Sequence, residues 1–459
     1  MVYKTAVAVP RSGNQWIDGL TDGFRWGVTP DDPTISYTFI SDTSSLITGE
    51  FGGYPSWGWN DSERETMERA IEAIESVCGL NFVDRGDDNN DNVEVWFYTL
   101  DDSDAEGTYG FAYTPGSDMD EGMVAINWSL YRSNDEIFKH SIQPGSFYGI
   151  TFLHELSHAV GLKHPHERGL LDQPRFPGLT RSSNKFKNKG EFDQNAQPFT
   201  QLSYVDKGAD NGLVPTSKAD HGFLQEPGAL DIAALQWLYG INPTTASGNN
   251  TYRLPLTNQE GNGWRVIWDT GGTDRIIASN ALDAVTIDLR NATLGSDPQA
   301  GGYESRVDGI TGGFMIAHDW DGLVPGQPAG LCVIEEAVGG KGDDRLIGNS
   351  GSNVLKGRKG ADLIYAGMGS ANVVVGGKGR DQFLVDTNPG AYVKVKDFKR
   401  SKDQLVFDGP ETEMAVSFQS SKKNTDVFSD GVVVATLMGV QDFDPGRHTV
   451  FSSFDTFDL

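Results

Sequence analysis

The residues with the clearest chemical capacity lie in HELSHAVGLKHP, positions 154–165. His154 and His158 stand four apart, so on a helix they lie about 40° from each other around the axis and can share one ion. Glu155 is adjacent, placed to reach a water on that ion. Gly161 can adopt the positive φ that ends a helix and swings the chain back, which brings His164 in as a third nitrogen. Three neutral imidazoles with an open position make up a catalytic zinc site, whereas a structural site would be closed. A bare H-E-x-x-H arises by chance in about one chain in a hundred of this length. Gly161, His164 and Pro165 at fixed offsets lower that by roughly four powers of ten. His140, His166, His221 and His318 read as ordinary solvated or hydrogen-bonded side chains, with His166 close enough to the site to watch.

A second pattern occupies 339–384, where glycine returns on a nine-residue beat. GGKGDDRLI (339–347) fits G-G-x-G-x-D-x-(apolar)-x throughout, and GNSGSNVLK (348–356) carries Asn353 in place of aspartate. GRKGADLIY (357–365) restores Asp362, and AGMGSANVV (366–374) is degenerate. After one extra residue, GGKGRDQFL (376–384) returns Asp381. Glycine permits the turn and brings backbone carbonyls near an ion, and aspartate adds a hard oxygen suited to Ca²⁺. The eighth positions, Leu346, Leu355, Ile364, Val373 and Phe383, are expected to point into a narrow core. The pattern predicts a parallel β-roll loaded with calcium through Asp344, Asp362 and Asp381, with Asn353 and Asp343 as weaker ligands. Such a roll has little core per turn, so without calcium its acidic loops repel and the chain stays largely unfolded.

The elements that must hold these groups can be read around them. TISYTFI (34–40), NFVDR (81–85), VEVWFYTL (93–100) and GMVAINW (122–128) alternate as strands. DSERETMERAIEAIESVCGL (61–80) spaces Met67, Ala70, Ile71, Ile74 and Val77 as a helix, with Ser62 and Glu65 as its expected capping box and Gly79 as its stop. A helix is expected around 149–160, then an irregular, locally basic stretch over 165–200. LDIAALQWLYGI (230–241) is a second strong helix with Gly240 near its end. NPTTASGNN (242–250) looks like a boundary, after which short β-prone pieces run between glycines. The fold class is therefore multidomain α+β: a mixed α/β domain ending near residue 242, then a parallel β-roll or sandwich over 251–459.

Composition narrows the function. Sixty-four acidic against 37 basic residues leave a net charge of −27, which argues against nucleic-acid binding. Such acid serves solubility, or calcium where its spacing is that of ligands. Cys78 and Cys332 share no motif spacing and read as two buried thiols more readily than as a disulfide. No run approaches the roughly 18 apolar residues of a membrane span, so no stable membrane insertion is expected. The apolar stretch near the start is too short for a cleaved signal. Export of an unfolded chain that folds in extracellular calcium accounts for both observations. The last residues, FSSFDTFDL, mix acid and hydrophobe and could equally form a final strand.

The motif H-E-x-x-H-x-x-G-x-x-H-P followed by a calcium β-roll resembles the serralysin branch of the metzincin zinc endopeptidases. LDIAALQWLYGI is similar to the helix that ends the family's catalytic domain, and VIWDTGGTDRI and MIAHDWDG…VIEEAVGGKGDD to its first roll strands. The resemblance implies a zinc protease domain (21–242) with a five-stranded mixed sheet above a cleft, and a short pro-segment over 1–20. It implies Zn²⁺ on His154, His158 and His164, with Ca²⁺ in the roll. Glu155 is implied as general base, and Tyr204 as a movable zinc ligand and transition-state donor. Beneath the zinc the family places a tight turn, usually Met-Ser-Tyr. FTQLSYVD (199–206) matches it with Leu202 where methionine is expected, a volume-conserving exchange. The implied activity is hydrolysis of internal peptide bonds of extended substrates laid along an edge strand, placed at GMVAINW, with broad specificity. The implied setting is a monomer made as a zymogen and secreted through type I machinery by a C-terminal signal. A rival from another class, a secreted calcium-binding structural or adhesion protein with a decayed protease domain, is motivated by Leu202 and the degenerate fourth repeat. The basic loop 168–189 (Arg168, Arg175, Arg181, Lys185, Lys187, Lys189) reads as solvated, with a preference for acidic substrates as the alternative.

Overall fold

The computed structural model describes residues 3–42, 46–47, 54–88, 93–101, 108–117, 120–132, 141–205, 218–320, 330–388, 390–409 and 415–454. His140, Asp206, part of the acidic loop after Arg85 and residues 455–459 lie outside them.

The first unit opens with β1 (Ala6–Ala8), α1 (Gln15–Leu20) and β2 (Phe24–Trp26), β1 pairing antiparallel to β2. There follow β3 (Thr34–Phe39), the short pair β4 (Leu46–Ile47) and β5 (Tyr54–Pro55), and α2 (Asp61–Val77). Then come β6 (Asn81–Asp84), β7 (Val95–Leu100), β8 (Gly110–Ala112), β9 (Met123–Asn127), α3 (Phe147–Ala159) and α4 (Ala229–Tyr239). A five-stranded sheet runs β6-β3-β7-β9-β8, all parallel except β8, which opposes β9.

α2 buries the expected stripe of Met67, Ala70, Ile71, Ile74 and Val77. Its cap differs from the expectation. Asn60 accepts from Glu63 N and Glu63 accepts from Asn60 N, so the reciprocal pair forms two residues earlier than Ser62 and Glu65. Asparagine caps as well as serine, and Glu63 gains a second role by taking the Arg132 guanidinium in a part-buried ion pair.

One further expectation changes. The expected edge strand GMVAINW is interior, with all five residues of β9 buried, and the edge is β8. Edge strands are short and half-exposed, so a three-residue piece carries almost no periodic signal. Residues within the described part of 1–20 pack on the rest of the chain. Trp16, Ile17 and Leu20 are buried, α1 packs on α4, and the Trp16 indole donates to Gly295 O at 2.7 Å in the second unit.

Beyond residue 250 the chain forms a nine-stranded and a seven-stranded sheet, parallel over most of their length, between which it alternates. Leu346, Ile364 and Phe383 stack in one sheet and Leu355 in the other, all buried. In the fourth repeat Val374, not Val373, pairs with Leu355 and enters the core. The extra residue lies inside the turn 366–372 rather than after it, where a loop absorbs it without shifting the strand. The boundary segment 242–250 is tied down, since Asn242 Nδ2 donates to Glu75 O and Trp268 Nε1 to Asn242 O. One continuous apolar core crosses from the first unit into the roll.

Candidate metal centre and cleft

α3 starts at Ser146, whose hydroxyl accepts from Gly149 N at 2.9 Å, and it carries His154, Glu155 and His158 inward. It ends where expected. Gly161 has φ +101°, and a Cβ there would sit 2.5 Å from Phe24 O, so only glycine meets both demands. The reversal is held by Lys163 N donating to Leu20 O and Asp22 N to Gly161 O, and His164 faces back toward the helix.

The three Nε2 atoms converge. His154 to His164 is 3.0 Å, His158 to His164 3.1 Å and His158 to His154 3.2 Å. Donors bound at about 2.05 Å in a tetrahedron lie roughly 3.3 Å apart, so the set fits zinc. The opposite ring nitrogens are fixed by oxygens: His154 Nδ1 donates to Gln201 O at 2.9 Å and His158 Nδ1 to Leu162 O at 2.8 Å. His164 Nδ1 lies 3.1 Å from Glu167 Oε2. These contacts set each tautomer so that the Nε2 lone pair faces the common point. Burial lowers all three pKa values, His154 to about 4, which keeps the imidazoles neutral as ligands.

Glu155 is buried, and burial pushes its carboxyl up to about 8. It lies under the edge strand, where a Cβ on Gly110 would come within 2.9 Å of Glu155 Cγ and 2.8 Å of Ala125 O. Gly110→Ala is therefore expected to displace the carboxylate, lowering kcat by about 10²-fold, the scale of a 1 Å misplacement, with zinc content unchanged. Turnover and metal analysis on the same sample check both halves.

The turn beneath the histidines is the expected one. Leu202 is fully buried, and the turn presents Gln201 O to His154 and the Tyr204 hydroxyl 2.7 Å from His164 Nε2. Leu202→Met is expected to change stability by no more than about 1.5 kcal/mol and to leave zinc content unaltered, read by thermal melting and metal analysis. The turn is pinned by a residue the sequence reading passed over. Asp231 of α4 accepts from Thr200 Oγ1 at 2.6 Å and from Gln201 N and Gly228 N. Its isolation as the one acid in LDIAALQWLY was the available signal.

A cavity of about 510 Å³ runs past these groups, lined among others by Tyr109, Gly110, Phe147, Glu155, Lys185 and Tyr204. Phe186 stacks on Tyr204 at 5.7 Å, and Lys185 Nζ lies 5.2 Å from the same ring. Lys185 and Phe186 of the basic loop thus reach the cleft. His166 stacks on His164 and, with Glu167, forms a second group of metal-capable atoms there. His221 pairs with Asp220, and His318 is buried between Trp268 and Trp320. Cys78 and Cys332 are buried free thiols. A larger cavity of about 790 Å³ opens among the roll turns near Arg290, His318 and Tyr365, away from the three histidines.

In the roll, Asp344, Asp362 and Asp381 are buried in successive turns, and Asp343 is exposed, accepting from Ala361 N. Burial raises the first three, Asp362 to about 8 and the others to about 6. Asp362 Oδ2 and Asp381 Oδ2 have no hydrogen-bond partner, which is what a cation seat requires. Asn353 lies in the opposite row, its amide donating to backbone carbonyls. A further acidic group, Asp269, Asp274 and Glu335, was not foreseen. Asp274 N donates to Glu335 Oε2, Asp274 Oδ2 is orphaned, and burial raises Asp274 to about 6. Among the described residues no helix is long and apolar enough to cross a membrane.

The profile of the RTX calcium-binding nonapeptide repeat matches residues 338–371 in four copies. The chain is similar to a serralysin of Photorhabdus laumondii subsp. laumondii, 28% identical over 351 residues, covering 72% of this chain and 63% of that protein. It is also similar to metallopeptidase AprA of Pseudomonas marginalis, 27% identical over 333 residues, covering 70% and 61%. A third relative is serralysin C of Dickeya chrysanthemi, 29% identical over 328 residues, covering 68% and 58%. The matches span 58–63% of the length of these three relatives. The resemblance carried by the histidine motif and the glycine beat is borne out by these relatives.

Proposed function

We propose that this chain is a serralysin-type zinc endopeptidase that is secreted, folds with calcium and cleaves internal peptide bonds of extended polypeptides. The observation that carries the reading is the convergence of three Nε2 atoms within 3.0–3.2 Å, beside Glu155 and Tyr204 in one cleft. Zinc held by His154, His158 and His164 supplies a Lewis acid that polarises a carbonyl and lowers the pKa of water toward neutrality.

The chain's own groups supply the rest. The β8 strand at Gly110–Ala112, last in the sheet order beside the cleft, is where an extended substrate would lie, and main-chain pairing reads few side chains, which favours broad specificity. Glu155 takes a proton from the attacking water and returns it to the leaving amine. The Tyr204 hydroxyl donates to the oxyanion of the tetrahedral intermediate. Lys185 and Lys218 line the cleft, with Glu155 the only carboxylate among its described lining residues, so acidic side chains near the scissile bond are favoured.

The adhesion-protein reading is disfavoured by the convergence of the three histidines beside Glu155 and Tyr204 and by the burial of Leu202. Export through type I machinery, zymogen activation and a monomeric state follow the resemblance. The test is hydrolysis of casein by the full chain loaded with zinc and calcium, set against Glu155→Gln. Turnover confined to the wild type supports the reading, and equal background in both overturns it.

A further inference from the structure

The turns of the roll form two rows. Turns 339–344, 357–362, 376–381 and 397–403 lead into the seven-stranded sheet and end in Asp344, Asp362, Asp381 and Asp403. Turns 348–353 and 366–372 lead into the nine-stranded sheet and end in Asn353 and Asn372. One side-chain oxygen does the same work in both rows by accepting the backbone N–H of the preceding turn. Asp344 N donates to Asp362 Oδ1 at 3.0 Å, Asp362 N to Asp381 Oδ1 at 3.2 Å and Asn353 N to Asn372 Oδ1 at 2.8 Å.

The second terminal atom differs. Asn353 Nδ2 donates to Gly351 O at 2.8 Å and to Asn349 O and Ala366 O at 3.2 Å. Asn372 Nδ2 donates to Gly369 O at 2.8 Å and Gly367 O at 3.3 Å. In the aspartate row Asp344 Oδ2 accepts from Gly340 N, whereas Asp362 Oδ2 and Asp381 Oδ2, in residues 1% and 0% exposed, have no partner. An oxygen in that seat needs a cation or a proton, whereas an amide brings its own hydrogens to the turn's carbonyls. A calcium ion in the asparagine turns would gain no carboxylate from Asn353 or Asn372, and its affinity falls with each carboxylate removed.

We propose that within the nonapeptide segment calcium occupies the aspartate row alone, and that the amides of Asn353 and Asn372 hold the turns 348–353 and 366–372 in its place. The aspartate row is closed at its far end in a related way. Lys399 Nζ donates to Gly377 O and lies 3.5 Å from Asp397, while Asp403 Oδ2 accepts from Lys399 N at 2.7 Å. An ammonium thus stands on a turn carbonyl at that end. The asparagine turns contribute to the fold whether or not calcium is present.

The test counts calcium on the full chain with zinc retained, by equilibrium dialysis with metal analysis and by calorimetric titration. The double variant Asn353→Asp/Asn372→Asp is expected to bind at least one more ion per chain than the wild type. Asn353→Ala is expected to keep the wild-type count while melting at lower temperature. Asp362→Asn is expected to lose an ion and to melt higher than the wild type in chelator. A folded double variant with an unchanged count overturns the proposal, as does loss of an ion in Asn353→Ala. Should the double variant fail to fold, the count in Asn353→Ala decides.

Discussion

Replacing Glu155 by glutamine is expected to lower kcat on casein by about 10²- to 10⁴-fold, the usual worth of a positioned general base, while zinc content stays at the wild-type level. The side chain keeps its volume, so the space left by Gly110 and the packing of α3 are preserved. None of the histidine contacts involves Glu155, and the ligand set should hold its ion unchanged. What is lost is the capacity to take a proton in the transition state. Burial alone would keep this carboxyl protonated near neutrality, and zinc held by the three histidines would favour its charged form. Removing zinc should therefore abolish turnover at two levels, the Lewis acid and the basicity of Glu155. Kinetics and metal analysis on one preparation separate a chemical defect from a lost metal, and a variant that has lost its zinc would undo this account.

Removing calcium is expected to destabilise the roll strongly at pH 8 and less at pH 6. Burial holds Asp362 up to about 8 and Asp344 and Asp381 up to about 6, all above their ordinary range. A folded-state pKa above the unfolded one means that folding takes up protons in that interval. Stability of the calcium-free roll is then greatest at low pH within the interval and is lost as pH rises through the folded values. Calcium reverses the sign, because it binds the ionised carboxylates and competes with protons. Circular dichroism melts in chelator should thus move up by several degrees on going from pH 8 to 6, and melts in excess calcium should not. A calcium-free chain that melts identically at both values would contradict the buried aspartate ladder. Because the core is continuous between the two units and Trp320 Nε1 donates to Gln236 of α4, loss of the roll should also loosen the first unit.

Much of the site could be read along the chain because its logic is local. The interval between His154 and His158 is a helical interval, and Gly161 is legible as the residue that turns the chain toward His164. Aspartate on a nine-residue beat is legible as a calcium turn for the same reason. The errors share a different cause. β8 is three residues long, and its role as the edge comes from pairing with β9. The cap of α2 went to Asn60 because Glu63 also meets Arg132, which is 69 residues away. The register of the fourth repeat depended on which strand Val374 meets.

By itself the sequence determined the ligand types, their spacing and the calcium rhythm, since each rests on contacts a few residues apart. Only the tertiary structure decided what surrounds them. It set Gly110 beside Glu155, Asp231 beneath the turn of Leu202, and amides against one row of roll carbonyls with orphaned carboxylates in the other. These are meetings between distant segments, fixed by packing and hydrogen-bond satisfaction, and no local periodicity encodes them.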